Sequence, residues 1–191
     1  MTNEYLIDAL PELELITKKV QFEFKDLSAA QLNWKPSDTA WSIGQCLDHL
    51  IKTNRQYFPM LEAVSQGRQK KTIWERLPGL PGFWARMMLK SVHPASTKKY
   101  KAPAIFKPIT ETIPATIVLD FVKHQQGLIR LISNTDLVPH PETIVTSPVS
   151  PIITYSLHDC INIILLHEER HFRQAKRLLQ SENFPGKAIA V

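Results

Sequence analysis

The sequence is poor in several features at once. It has only two cysteines, Cys46 and Cys160, in 191 residues, too few for a disulfide framework. No apolar run approaches the roughly 20 residues that a membrane-spanning helix needs, so no membrane partner is expected. The first 14 residues carry acids early and lack the basic start and apolar block of a secretory leader. That pattern points to the cytoplasm and to reduced thiols. Strand-like alternation is scarce, and no internal repeat or low-complexity tract is evident. Acid is nearly missing from one segment: residues 66–110 hold ten Lys and Arg against Glu75 alone.

What remains is a globular composition. At 43% hydrophobic and 21% charged, the chain is too apolar to stay disordered. Its length suits one domain, residues 1–191. Such a domain buries roughly 70% of its unfolded surface and needs no metal or disulfide to fold. A formal net charge of +5 invites a nucleic-acid reading. The distribution argues against it, because the segment 66–110 carries +9 and the rest of the chain −4. With Pro78, Pro81, Pro94, Pro103 and Pro108, the stretch of about 66–112 reads as an irregular basic insertion.

Four long helical patterns are expected. The first, about 4–27, has a stripe of Leu6, Leu10, Leu13, Val20, Phe24 and Leu27, with Pro11 either opening the helix or kinking it. The second, about 43–65, opens on a capping box, Ser42 with Gln45, and ends before Gly67. The third begins near Pro114 and runs to about Asn134, striped by Ile117, Phe121, Leu128 and Ile132. The fourth, about 152–182, follows a loop with four prolines. Phe83 to Val92 can form a short helix inside the insertion. The expectation is an all-α four-helix bundle with a long Pro-rich crossover.

Chemistry gathers on the fourth pattern. His167 and His171 are four residues apart, about 40° around a helix and about 6 Å along it, so both imidazoles point the same way. His171 lies at the centre of the apolar stripe. A polar ring there needs a partner, and a metal ion supplies one for both. The string from His167 to His171 also fits the H-E-x-x-H pattern of zinc proteases, with Glu168 as base. Gln174 and Arg177 break the longer form of that pattern, and little strand material precedes it. Glu168 remains a candidate base, although its side chain is rotated about 100° from His167. Zinc-like sites use three protein ligands and leave one position open. His49 on the second helix is the leading third ligand and His124 its rival, and spacing alone does not separate them. Gln45 and Gln174, each one turn from a histidine, are candidates for contacts behind the ligands or with substrate. His93, His140 and His158 read as loop or solvated residues, and both cysteines as small core residues.

Two stretches then carry a resemblance. Trp41-Ser42-Ile43-Gly44-Gln45-Cys46-Leu47-Asp48-His49-Leu50 resembles the signature that opens the second helix in the DinB/YfiT-like superfamily. His167 to Gln174 resembles that family's H-x-x-x-H-x-G-Q segment on the last helix. Asn33-Trp34-Lys35-Pro36 is similar to its turn after the first helix. The match covers most of the chain outside about 66–112. It implies a four-helix bundle with a divalent ion, Zn or Ni, on His49, His167 and His171, and so favours His49 over His124. It also implies a metal-dependent enzyme with a small-molecule substrate. One type transfers a low-molecular-weight thiol as co-substrate; the other is a hydrolase. Arg173 stands where the family commonly has Gly, and is expected to make the pocket wall bulkier or more cationic. Two other readings are kept: a non-catalytic, metal-stabilised or stress-related module that forms a homodimer, and a nucleic-acid binder using the basic segment.

Overall fold

The computed structural model describes residues 1–96, 104–109 and 112–186. The chain is mostly helical, with one small two-stranded sheet. Helix α1 spans Glu4–Phe24 and runs through Pro11, capped by the Asn3 side chain. A short α2, Ala29–Asn33, starts on a capping box of Ser28 with Gln31. Helix α3 is Ile43–Arg55 and α4 is Phe58–Ser65. The single helix expected over 43–65 is therefore two. Pro59 stands in the first turn of α4, where its missing N–H costs nothing and its ring blocks a continuous ladder from α3.

Helix α5, Leu80–Val92, lies inside the expected insertion and packs against α7. Two 3₁₀ turns, Trp74–Arg76 and Ala104–Phe106, flank it. The segment is thus more ordered than its prolines suggest. Lys98, Lys99, Lys101 and Pro103 lie outside the described residues. Helix α6 is Ile117–Ser133 and α7 is Leu157–Leu178. The expected fourth helix starts late because Thr154–Ser156 form strand β2, antiparallel to β1, Ile144–Thr146.

Helices α1 and α3 each pack against both α6 and α7. The core they share includes Leu6, Leu13, Phe24, Leu47, Leu50, Phe121, Leu128, Ile161 and Ile164. These are the apolar stripes of the sequence, turned inward. Helix α3 also needs a close approach at its start. A Cβ on Gly44 would stand 2.8 Å from Ile113 Cγ2 and 3.1 Å from the Leu32 carbonyl oxygen. Only glycine lets this end of α3 sit against both neighbours.

Candidate functional site

His49 comes from the middle of α3, and His167 and His171 from successive turns of α7. Their rings form a triangle, with centroids 5.1 Å apart for His49 and His167, 4.6 Å for His49 and His171, and 4.6 Å for His167 and His171. One nitrogen from each lies within 4.8 Å of the other two. His124 is elsewhere, stacked on Phe58 with centroids 5.0 Å apart. Of the two rivals left by spacing, the fold brings His49 to the pair.

A strap of residues 106–109 sets the state of His49. Its Nδ1–H donates to the Phe106 carbonyl at 2.5 Å, which leaves the lone pair on Nε2. That atom faces His167 Nε2 at 3.2 Å. Two nitrogens held about 2.0–2.1 Å from one tetrahedral ion stand roughly 3.3 Å apart, so the spacing fits a shared cation. His171 Nδ1 is buried without a hydrogen-bond partner, and one proton shared by the other two rings cannot satisfy it. Burial lowers the pKa of all three. His167 falls to about 3, driven by burial, then His49, then Arg170. In His171 the neighbouring His167 and His49 add to burial, and Gln174 acts in the opposite sense. All three rings are therefore neutral at physiological pH. Three neutral nitrogen donors facing one point are the donor set a divalent ion takes, so the cluster is compatible with a divalent metal site.

The strap itself is held by one polar face of α3. Gln45 Nε2 donates to the Ile109 carbonyl at 3.0 Å. The Ile109 N–H donates to Asp48 at 2.9 Å. Lys52 pairs with Asp48 at 2.9 Å and reaches the Lys107 carbonyl at 3.4 Å. Gln45 therefore supports the strap behind His49, and its Oε1 closes the capping box with the Ser42 N–H. Asp48 and Phe106 were missed in the sequence. The only available signal was the spacing of 45, 48, 49 and 52, which puts four polar groups on one helix face. Trp41 lies against two of the three rings. Its ring stacks on His171 at 5.6 Å and 19°, and stands 4.8 Å from His49.

Two expectations need correction. Glu168 does not enter the histidine cluster. It is fully buried on another side of α7. It accepts from Asn54 Nδ2 at 2.6 Å and Gln125 Nε2 at 2.8 Å. Burial pushes its carboxyl up to about 8, against the pull of both amides. The one-residue offset from His167 turns it toward α3 and α6. Arg173 does not wall the site either: it is exposed and paired with Glu169 at 2.6 Å. Arg170 is the cation that matters nearby, and its Nη1 donates to the carbonyls of Ser91, His93 and Ser96 at the end of α5. Cys46 and Cys160 are free and buried, and burial pushes the Cys46 thiol up to about 12. Neither belongs to a metal-ligating group among the described residues.

Comparison with known proteins adds two findings. The model of the DinB superfamily matches residues 12–175. An uncharacterized Bacillus subtilis (strain 168) protein, YuaE, is 29% identical over 160 residues, covering 82% of this chain and 88% of that one. No solved structure matches.

Proposed function

The chain belongs to the DinB superfamily, and from that premise we propose that it is a divalent-metal-dependent enzyme of thiol-transferase or hydrolase type. The long helices α1, α3, α6 and α7 would form its four-helix bundle, and Zn or Ni would sit on His49, His167 and His171. The carrying observation is the convergence of three neutral imidazoles with the Nε2 atoms of His49 and His167 3.2 Å apart. A divalent ion held there supplies Lewis acidity, which lowers the pKa of a thiol or water. The chain's own part is positional. The strap carbonyl of Phe106 fixes the His49 tautomer, Trp41 stacks on His171 and orients its ring, and Gln174 stands beside His171.

Turnover of an electrophile by metal-loaded protein, with glutathione, bacillithiol or mycothiol and without thiol, tests the enzyme reading. Metal-dependent turnover that disappears in His167→Ala is expected. Its absence across the panel, with metal bound, would assign the centre to a structural role. One observation favours that second reading: His49 and His171 are 5% and 8% exposed, so an ion there could also serve to join α3 to α7.

A further inference from the structure

Residues 106–109 of the basic segment hold His49, while residues 66–96 present a distinctive surface. Residues 66–96 hold six Lys and Arg: Arg68, Lys70, Lys71, Arg76, Arg86 and Lys90. All six are exposed. The lone acid, Glu75, is buried and accepts from the Thr146 hydroxyl at 2.6 Å and the Thr72 N–H at 3.1 Å. Large apolar side chains stand among these cations. Ile73 is 70% exposed, Phe83 52% and Met87 44%, with Trp74 and Leu77 also exposed. Along α5 the outward stripe reads Phe83, Arg86, Met87, Lys90, at helical spacing, while Ala85 faces the protein. The turn carrying Trp74 packs against α5.

We propose that this face, the 73–77 turn and the outer stripe of α5, docks peripherally on an anionic lipid bilayer. Charge selects the partner. The face carries the exposed cations Arg76, Arg86 and Lys90, and residues 66–96 add no exposed acid, so it repels a second copy of itself. Phosphate contacts to a nucleic acid would use the cations but leave Ile73, Leu77, Phe83 and Met87 in water. An interfacial surface uses both, with apolar side chains in the acyl boundary and Lys and Arg at the headgroups. Among the described residues no helix is long and apolar enough to cross the bilayer, so the contact is superficial, and it revises the expectation of no membrane partner.

Co-sedimentation of the full chain with two kinds of vesicle tests this. One is phosphatidylcholine alone, and the other contains about one third phosphatidylglycerol. Binding to the anionic vesicles only, weakened by added salt, is expected. Phe83→Asp with Met87→Asp should lower partitioning at least about tenfold through lost apolar insertion. Arg86→Gln with Lys90→Gln should lower it about fivefold per charge. All four positions are exposed, and circular dichroism confirms that the variants fold. Absence of binding to both vesicles overturns the proposal, as does unchanged binding by either double variant. Duplex DNA binding without vesicle binding, or a homodimer broken by the Asp variants, also overturns it.

Discussion

Glu168 carries a carboxyl group in the interior between α3, α6 and α7, so its proton is tied to folding. Its folded pKa, about 8, lies above the unfolded value. Its contribution is therefore full below about pH 4 and lost as pH rises toward 8, by at most about 1.4 kcal/mol per unit. The buried histidines act in the opposite sense. Their folded pKa values are depressed, so stability falls as pH drops below about 6.5, where the unfolded rings take up protons. Metal-free protein is thus expected to be most stable near pH 6.5, read from denaturant midpoints across pH. Glu168→Gln should flatten the decline above that pH. Asn54 Oδ1 and Gln125 Oε1 lack partners, so either amide can turn to accept from the new amide group. Glu168→Ala leaves two buried amide donors unpaired and should cost about 2–5 kcal/mol. Equal pH profiles for wild type and Glu168→Gln would contradict the assignment.

At the scale of elements, α3 links fold to site. Its first turn is fixed by the Ser42 cap and by the bare face of Gly44 against Ile113 and Leu32. Gly44→Ala should destabilise by about 1–3 kcal/mol through overpacking, measured by thermal or denaturant unfolding. One turn on, Asp48 holds the strap that orients His49. Asp48→Ala is expected to weaken metal affinity about 10-fold or more while leaving most of the stability intact, because it acts behind a ligand. A calorimetric titration with Zn²⁺ checks this, and unchanged affinity would remove the strap from the account. Why some elements were legible in the sequence also becomes clear at this scale. The stripes of α1, α6 and α7 repeat over many turns, so their periodicity is strong. The break between α3 and α4 hangs on Pro59 alone. The β-hairpin has three residues per strand, too few for alternation to show, and its loop prolines hid it.

For the molecule as a whole, the histidine pair on α7 was readable from a spacing of four, because that spacing is local geometry. The third ligand was not. The protein brings His49 to the pair by packing α3 on α7, 118 residues away in sequence, and only the resemblance chose it over His124. Glu168 shows the converse: the motif string suggested a base, while one residue of helix rotation sends the side chain into the core. The basic segment kept its composition but changed its meaning, from an irregular excursion to a helix presenting Phe83 and Met87 beside Arg86 and Lys90.

The central claim, one divalent ion on three histidines, is tested most directly by elemental analysis of purified protein loaded with Zn²⁺ or Ni²⁺. Wild type should retain close to one ion per chain. His49→Ala, His167→Ala and His171→Ala should each lose it while keeping their helical content by circular dichroism. Full occupancy surviving in any one of the three variants, or no ion retained by wild type, would contradict the claim.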